Sequence, residues 1–232
     1  MRETLNQRTD SQEMMKAMML QYLSPSMTLY DVGCGEKPFA GFLKGKVANH
    51  IGVDIDYGFY DKNYIDVIGS ADNLPIPDGS ADAILSSQVI EHLPNPEKSF
   101  AEAARVLKPG GLLFLSYPYL YPIHAPPYDF ARLSRYALDM MLEAHGLELV
   151  ERRALAGFWY MLGALMPVYL QGLPPVRALG IGKPLGWLVR ACCLILHKFE
   201  EVALLLMKKD VAAVRGAWTV TYVLVARQAN IA

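Results

Sequence analysis

Short apolar segments alternate with helical segments along most of this 232-residue chain, and this alternation limits the possible folds more than any other feature. Strand-like segments occupy residues 28–32, 50–53, 81–86, 112–116 and 147–154, with residues 64–68 as a further candidate. Helical patterns occupy residues 12–23, 39–43, 96–107 and 134–145. The alternation predicts an α/β fold whose mainly parallel sheet carries helices on both faces.

The ends of two helices carry recognisable signals. Asp10 or Ser11 is expected to cap the first helix, and Gly146 follows the fourth helix where a terminating glycine is expected. The first helix also holds a group of methionines, which forms either a packing face or an adaptable lid over a ligand. They are Met14, Met15, Met18 and Met19.

The alternation breaks between residues 157 and 210, which are strongly apolar and contain several prolines. Residues 217–226 then form a clear strand pattern of β-branched and aromatic residues. We therefore predict one domain made of residues 1–156 and 217–232. The intervening residues 157–216 are expected to form an apolar helical insertion before the last strand.

Charge is distributed unevenly along the chain. Residues 1–150 hold 12 Lys and Arg against 19 Asp and Glu, whereas residues 151–216 hold 9 against 4. The three cysteines suggest neither a disulfide framework nor a zinc site. The first ten residues are polar and lack a signal-peptide pattern, so a cytoplasmic protein is expected.

A glycine-containing loop, Asp31-Val32-Gly33-Cys34-Gly35, follows the first strand. Ligands of open α/β sheets bind outside the carboxyl ends of the strands, and glycines let the backbone approach a ligand closely. Asp54 ends the second strand about twenty residues later, where a ribose-binding acid is expected, although a solvated strand-end charge would look the same. Asp72, after the third strand, is placed to accept a hydrogen bond from an adenine amine. The loop is therefore predicted to bind a nucleotide cofactor.

Two common nucleotide sites do not fit this loop. A dinucleotide fingerprint requires a third glycine at position 38, which is Pro38 here, and this weakens an NAD(P)-dependent oxidoreductase interpretation. The chain also lacks the G-x-x-x-x-G-K-[ST] sequence of a P-loop.

Four segments, occurring in this order along the chain, resemble those of a known enzyme family. They are LYDVGCG, IGVDID, GSADNLPIPDGSADAILSSQVIEHLPNP and AEAARVLKPGGLLFLSYP. Together they resemble a class I S-adenosylmethionine-dependent methyltransferase, and they are most similar to the small-molecule group that includes ubiquinone- and menaquinone-pathway enzymes. The resemblance covers residues 12–154 and resumes at 217–226. It implies a Rossmann-like seven-stranded sheet and S-adenosylmethionine as the cofactor.

The resemblance also implies a role for individual residues. Asp31, Gly33 and Gly35, with Cys34 between the glycines, line the methionine part of the cofactor. Asp54 takes the ribose hydroxyls and Ile55 lies against the adenine. Further contacts come from the turn and the strand end that follow: Ala71, Asp72, Asn73, Ser87 and Gln88. Lys37 stands where the family commonly has a third glycine, which leaves the backbone path after Gly35 open.

Methyl transfer from a sulfonium requires mainly alignment, plus a base when the acceptor carries a proton. His124 is our preferred base with Asp129 as the residue that orients it, although Asp129 is equally suited to pairing with Arg132 or Arg135. His92 is a second candidate, but Glu91-His92 is also typical of a structural pair. Some quinone-pathway relatives bind a divalent cation with Glu-x-x-Glu-His here. This chain has Gln88 in place of the first acid, so we predict no required metal.

The segment after the fifth strand is rich in aromatic residues that are suited to an acceptor pocket. The predicted substrate-binding residues are Tyr117, Tyr119, Tyr121 and Tyr128. A proline-rich connector without such a role is the alternative. The chain lacks the Asn/Asp-Pro-Pro-aromatic sequence of base-methylating enzymes after the fourth strand, and no basic face accompanies it, so nucleic acid is not expected as a partner.

The apolar insertion favours contact with another apolar surface. Residues 154–176 carry no charge, but Pro167 interrupts them, and residues 184–207 contain charges that a membrane span resists. Interfacial helices on the inner face of a membrane, a cap over the active site and a homodimer interface through residues 157–210 all remain open. Each fits a small or lipid-like hydrophobic acceptor, with oxygen as the expected methylated atom. A non-catalytic cofactor-binding partner protein is the main alternative to an enzyme.

Overall fold

The structure is a computed structural model that describes residues 5–56, 61–207, 210 and 218–229. Side chains are described from residue 10 onward, except at residue 62. Residue 217, the predicted first residue of the last strand, lies outside the described residues, as does most of the predicted end of the insertion, at residues 208–209 and 211–216.

The sheet has seven strands, in the order β3-β2-β1-β4-β5-β7-β6. β1 pairs in parallel with both β2 and β4, and the β2–β3 and β4–β5 pairs are also parallel. This arrangement confirms the predicted α/β fold with a mainly parallel, seven-stranded, Rossmann-like sheet. The strands are β1 (Thr28–Val32), β2 (Asn49–Asp54), β3 (Val67–Ile68), β4 (Ala81–Ser87), β5 (Leu107–Pro118), β6 (Leu147–Ala156) and β7 (Thr219–Gln228).

Helices connect most of the strands, and three of them lie between β6 and β7, where the apolar insertion was predicted. Short 3₁₀ turns cover Lys62–Tyr64 and Ile90–His92. The α-helices are α1 (Leu5–Tyr22), α2 (Ala40–Leu43), α3 (Pro96–Val106), α4 (Arg135–Ala144), α5 (Phe158–Gly172), α6 (Pro174–Ala178) and α7 (Gly182–Leu206).

The first helix begins earlier than its sequence suggests. α1 starts at Leu5, so Asp10 and Ser11 lie inside it and the prediction that one of them caps it was wrong. Tertiary contacts account for both residues. The Asp10 carboxylate accepts a hydrogen bond from the Tyr160 hydroxyl at 2.7 Å, and Arg190 donates to the same oxygen at 3.3 Å. Ser11 is buried at 5% exposure.

Two further boundaries differ from the sequence pattern. The candidate strand at residues 64–68 is reduced to Val67–Ile68, because Tyr64 belongs to the 3₁₀ turn before it. β5 begins at Leu107 rather than at Leu112. Its pairing with β4 is irregular between Ala81 and Ala83, which lets the Lys-Pro-Gly-Gly segment remain part of the strand.

The ends of α4 agree with the sequence signals. The Ser134 hydroxyl accepts a hydrogen bond from the Ala137 N–H at the start of the helix. Gly146 has a φ of +67° just beyond the end, a left-handed conformation that glycine adopts without steric cost.

The methionine face of α1 packs in the main hydrophobic core. Met15, Met18 and Met19 are fully buried, with 0% exposure, against a cluster that includes Leu29 of β1 and Phe114 of β5. This confirms the packing interpretation of the methionine pattern. Apolar burial on this face holds α1 against the sheet.

The chain forms two compact units. One contains Met1–Gln12, Tyr119–Ile123 and Ala154–Tyr222, and the other contains Glu13–Pro118, His124–Arg153 and Val223–Ala232. The predicted functional division at residues 157 and 217 stays a prediction. Within the described part of the chain, no helix combines the length and apolar character that crossing a membrane requires.

Replacement of Met18 by alanine tests the packing of α1. We expect Met18→Ala to lower the free energy of unfolding by about 2–5 kcal/mol, because it leaves a cavity in the core. Leu20→Ala, on the same helix at a position that is 59% exposed, is the matched control and should cost less than about 1 kcal/mol. Urea denaturation measures both, and equal losses would contradict the packing described here.

Candidate active site

The loops that follow β1, β2, β3 and β4 meet at one edge of the sheet, because these strands are parallel neighbours. Chain order places the glycine loop after β1, Asp54 at the end of β2, a turn at residues 70–73 after β3, and Gln88 after β4. The structure therefore brings together the stretches of chain that the sequence predicted to bind a cofactor. This is the edge at which open α/β sheets bind ligands.

The glycine loop turns sharply over the end of β2. Gly33 and Gly35 have φ values of +72° and +50°, and the N–H groups of Gly33 and Cys34 both donate to the Val53 carbonyl, at 2.8 and 3.2 Å. A Cβ atom at Gly33 would lie only 2.4 Å from a methyl carbon of Val89. Glycine is thus required at position 33 for both its conformation and its close contact with the loop after β4.

Asp54 connects the glycine loop to the end of β2. One carboxylate oxygen accepts a hydrogen bond from the Gly35 N–H at 2.7 Å, and the other accepts from the Ile55 N–H at 2.7 Å. The side chain is held in one orientation, and each oxygen retains a second lone pair as an acceptor. Ile55 places an apolar side chain, 37% exposed, directly beside it.

Lys37 occupies the position at which the backbone path was left open. Its φ is +48°, so this lysine adopts the left-handed conformation that a glycine would adopt more easily. Its ammonium group forms an ion pair with Asp66, whose carboxylate also accepts from the Gly52 N–H at 2.6 Å. Burial raises the pKa of Asp66, but the hydrogen bonds from Lys37 and Gly52 outweigh it and the pKa lies below its ordinary value. The ion pair helps to hold the lysine in this conformation.

Asp31 lies beneath the loop and not on its surface. Its side chain is 2% exposed, and one carboxylate oxygen is 3.0 Å from Nε2 of His50. Burial raises the pKa of Asp31 above its ordinary value, and the His50 contact opposes that rise. Sequence reasoning missed His50, which lies on β2 next to β1 in the sheet.

Cys34 is a buried thiol with no sign of nucleophilic activation. Burial, assisted by the nearby carboxylates of Asp31 and Asp54, raises its pKa to about 12, so the thiol is neutral at pH 7. We therefore expect Cys34 to help shape the cofactor site and not to take part in the chemistry.

The turn after β3 contains three of the predicted residues. Ser70 and Asn73 form an isolated bridge, and Asp72 accepts a hydrogen bond from the Ser70 hydroxyl. Ala71 is buried and Asp72 is half-buried, whereas Asn73 is exposed. The Asp72 carboxylate is thus held in a defined position after β3.

Ser87 ends β4 and Gln88 follows it, and both side chains are directed to β5. The Ser87 hydroxyl lies 3.0 Å from that of Ser116, and the Gln88 amide donates to the Ser116 hydroxyl at 3.2 Å. Gln88 has a φ of +58°, the left-handed region that a non-glycine residue rarely adopts. Ser116 is a contributor that the sequence reasoning did not name.

The structure brings the two separately predicted bases together. The rings of His92 and His124 are edge-to-face with centroids 4.9 Å apart. This occurs because the N–H groups of Phe130 and Ala131 donate to the carbonyl of Glu91, at 2.8 and 3.3 Å, which fixes the loop after β5 against the turn after β4.

The hydrogen bonds of His92 define which of its nitrogens is basic. Nδ1 lies 2.5 Å from the carbonyl oxygen of Tyr128, and a carbonyl only accepts, so Nδ1 carries a proton. Nε2 is therefore the basic nitrogen of the neutral ring. It lies 3.9 Å from the carboxylate of Glu91, whose side chain is 1% exposed. Proton uptake at Nε2 would place a positive charge beside this buried carboxylate.

Asp129 has both of the partners that the sequence offered as alternatives. Arg132 donates to its two carboxylate oxygens at 2.5 and 2.8 Å, and the backbone N–H of His124 donates to one of them at 2.9 Å. Nδ1 of His124 lies 3.4 Å from the same oxygen. Burial raises the pKa of Asp129, but these hydrogen bonds outweigh it and the pKa lies below its ordinary value.

Glu91, His92 and His124 are also the residue types that bind a transition metal. Each has a ligand atom within 4.8 Å of the others. Ligand atoms around a zinc ion, at bond lengths of about 2.0–2.2 Å, approach one another to about 3–3.6 Å. The cluster is wider than that and has one carboxylate. That the protein requires no metal stays a prediction.

The four predicted substrate-binding tyrosines lie in different surroundings. Tyr117 is buried in β5 at 1% exposure, whereas Tyr128 is 45% exposed in the loop that follows. Tyr119 donates its N–H to the Val220 carbonyl at 2.8 Å, and its ring lies against Tyr222. Tyr119 and Tyr121 belong to the unit that contains the apolar helices, and Tyr117 and Tyr128 belong to the other. Their role in binding an acceptor stays a prediction.

Residues 30–115 match the family of methyltransferase domains. An uncharacterised methyltransferase of Mycobacterium bovis is 40% identical over 98 residues, and one of Mycobacteroides abscessus is 38% identical over 101 residues. These matches cover 39% of this chain and 39% of each relative, so the chain is aligned with about two fifths of the relatives' length. The particular similarity to quinone-pathway enzymes stays a prediction.

Solved structures share the fold over almost the whole chain. An S-adenosylmethionine-dependent methyltransferase from Mesorhizobium loti has a TM-score of 0.56 and 14% identity, covering 94% of this chain and 97% of its own. The [4+2]-cyclase SpnF has a TM-score of 0.56 and 19% identity, covering 94% and 81%. At these identities the similarity establishes the fold alone, and the activity must be argued from the site.

The ion pair between Asp129 and Arg132 gives a prediction about pH. We expect Arg132→Met to lower the free energy of unfolding by about 2 kcal/mol at pH 7, because it leaves a carboxylate that is 3% exposed without its main partner. A lowered pKa stabilises the folded state above the ordinary carboxyl pKa of about 4 and loses that effect as the pH falls through the folded value. The difference between wild type and variant should therefore shrink below about pH 4. Urea denaturation across pH measures it, and a difference independent of pH would contradict the assignment.

Proposed function

We propose that this chain, whose residues 30–115 match the family of methyltransferase domains, is a class I S-adenosylmethionine-dependent methyltransferase that transfers a methyl group from S-adenosylmethionine to an acceptor. The observation that carries the proposal is Asp54. Its two oxygens are oriented by the N–H groups of Gly35 and Ile55, at the sheet edge where the cofactor of such a fold binds.

The residues at this edge fit the cofactor part by part. Asp54 would accept hydrogen bonds from the two ribose hydroxyls with its remaining lone pairs, and Ile55 would cover one face of the adenine. Asp72, oriented by Ser70, would accept from the adenine amine. Gly35 would let the backbone approach the methionine part closely, since it has no side chain, whereas the space beside Gly33 is filled by Val89. Bound S-adenosylmethionine would supply an activated methyl group.

The histidine pair supports transfer to an acceptor that must lose a proton, and we propose an oxygen acceptor for that reason. His124 and His92 lie side by side, and His92 presents Nε2 as its basic nitrogen. The buried carboxylate of Glu91 would stabilise the imidazolium that forms at His92. At His124 the Asp129 carboxylate would act in the same direction, but the Arg132 guanidinium, also 3.4 Å from Nδ1, would oppose it. The pair would accept the acceptor's proton while the cofactor and the acceptor are held in line.

A small or lipid-like hydrophobic acceptor fits the composition of the chain best. The exposed Tyr128 offers an aromatic surface next to His92, because the Tyr128 carbonyl accepts a hydrogen bond from the His92 ring. Helices α5 to α7 add a large amount of exposed apolar surface to the same protein. Both features favour an apolar compound over a charged one.

A cofactor-binding protein without methyl transfer is the second candidate. It is favoured by one observation, namely that a fold of this kind also occurs in a [4+2]-cyclase. Both candidates bind the cofactor at Asp54. They differ in whether the protein transfers the methyl group, for which the first candidate requires the histidine pair.

Substitution of Asp54 tests the cofactor site. We expect Asp54→Asn to weaken the binding of S-adenosylhomocysteine about tenfold or more, since an amide removes the charge and one acceptor oxygen. Asp56→Asn is the matched control, because Asp56 is an exposed acid two residues beyond the end of β2. Isothermal titration calorimetry measures both variants. Equal affinities for wild type and Asp54→Asn would contradict the ribose assignment.

Substitution of the histidines tests the chemistry separately from cofactor binding. We expect His92→Asn and His124→Asn each to lower the rate of transfer from methyl-labelled cofactor to a lipid extract by about 10²–10⁴-fold. S-adenosylhomocysteine should bind both variants as it binds the wild type. Transfer by the wild type should also survive a chelator, because no metal is expected to take part.

Three outcomes would overturn parts of this proposal. An unchanged rate of methyl transfer in both histidine variants would show that neither histidine acts as the base. Loss of transfer with chelator and its return with added zinc would show that the cluster of Glu91, His92 and His124 holds a metal. A labelled product found only in the aqueous fraction would exclude the apolar acceptor.

A further inference from the structure

One side of α7 exposes a largely apolar surface. At 100° per residue, the large apolar side chains on this side fall within an arc of about 120°. Their exposed fractions are high for such residues, with Trp187 at 80%, Phe199 at 72% and Leu206 at 79%. We call this surface the outer face of α7, and it consists of Trp187, Leu188, Ile195, Phe199, Val202, Leu205 and Leu206.

The opposite side of α7 is closely packed against α5. A Cβ atom at Gly163 of α5 would lie 2.9 Å from the Cβ of Cys193, and one at Gly186 would lie 3.1 Å from the Cβ of Pro167. Gly186, Cys193 and Leu204 are buried on this side. The helix pair thus already has a well-packed interior, so exposure of the outer face is not a consequence of loose packing.

Cations outnumber acids around this face, since Glu200 and Glu201 are the acids of α7. From Ala154 to Phe199 the sequence contains no Asp or Glu, whereas Arg177, Lys183, Arg190 and Lys198 all lie in this range. Arg177 and Lys183 are exposed near the start of α7, and Lys198 is exposed within the outer face. Lys198 pairs with Glu201 at 3.1 Å, and Arg190 pairs with Asp10 at 3.3 Å. An apolar surface bordered by cations is complementary to a bilayer surface with anionic headgroups.

A second copy of this chain is a poorer occupant of the same face. In a symmetric dimer each outer face would lie against the same face of its copy, so two surfaces of net positive charge would oppose each other. Glu200 and Glu201 of α7 offset only part of this positive charge, because four cations lie between Ala154 and Phe199. An anionic lipid surface satisfies both the apolar side chains and the cations.

We infer that the outer face of α7 binds to the surface of anionic membranes, with the helix in the plane of the interface. Trp187 and Phe199 would enter the boundary between headgroups and acyl chains, and Arg177 and Lys183 would contact the headgroups. This inference does not rest on the proposed methyl transfer.

Sedimentation of the full chain with lipid vesicles tests the inference. The wild type should sediment with vesicles of phosphatidylglycerol and phosphatidylcholine at low salt, and it should stay in the supernatant with phosphatidylcholine alone. The double variant Ile195→Ser/Phe199→Ser should lose about tenfold or more in vesicle affinity. Arg177→Gln/Lys183→Gln should lose affinity and most of its dependence on salt.

The matched control removes exposed apolar side chains elsewhere. Leu20→Ser/Met140→Ser changes two residues that are 59% and 72% exposed on α1 and α4, and it should bind vesicles as the wild type does. Thermal melting of each variant shows that it is folded.

Two results would overturn the inference. One is wild-type protein that stays in the supernatant with anionic vesicles, or that sediments equally well after the Ile195→Ser/Phe199→Ser change. The other is a lipid-free wild type that is dimeric by sedimentation velocity and becomes monomeric in that double variant. This second result would assign the outer face to a second copy of the chain.

Discussion

The pair of hydrogen bonds that Asp54 accepts from Gly35 and Ile55 holds together the cofactor side of the candidate site. These bonds hold the glycine loop over the end of β2, and the N–H groups of Gly33 and Cys34 on the Val53 carbonyl reinforce that position. The position of the loop in turn requires glycine at residue 33, because Val89 from the loop after β4 lies against it. One carboxylate therefore links three neighbouring strands to the edge at which a cofactor would bind.

The sheet could be predicted from the sequence because its strands are short, apolar and separated by glycines and prolines. Such signals are local, and so is the Gly146 signal at the end of α4. The start of α1 was predicted too late because Asp10 and Ser11 are residue types that commonly cap helices. Inside the helix, the Asp10 carboxylate instead accepts hydrogen bonds from Tyr160 and Arg190. The length of β3 was overestimated because tyrosine is common in strands, whereas Tyr64 lies in a 3₁₀ turn.

The contacts between the predicted site residues could not be derived from the sequence. His50 beside Asp31, Ser116 beside Gln88 and the meeting of His92 with His124 all depend on residues that are distant in the sequence. Lys37 was recognised as a departure, but its compensation by Asp66 depends on pairing across 29 residues. The spacing of residues within one strand or loop carries no information about these contacts, and the sheet order is needed to find them.

The central claim is that the edge formed by Gly33, Gly35 and Asp54 binds S-adenosylmethionine and not a dinucleotide. The most direct test is the melting temperature of the wild-type protein, measured with S-adenosylhomocysteine and, separately, with NAD. A ligand that binds only the folded state raises the melting temperature with its concentration. We predict a rise with S-adenosylhomocysteine and none with NAD, and a rise with NAD alone would contradict the account.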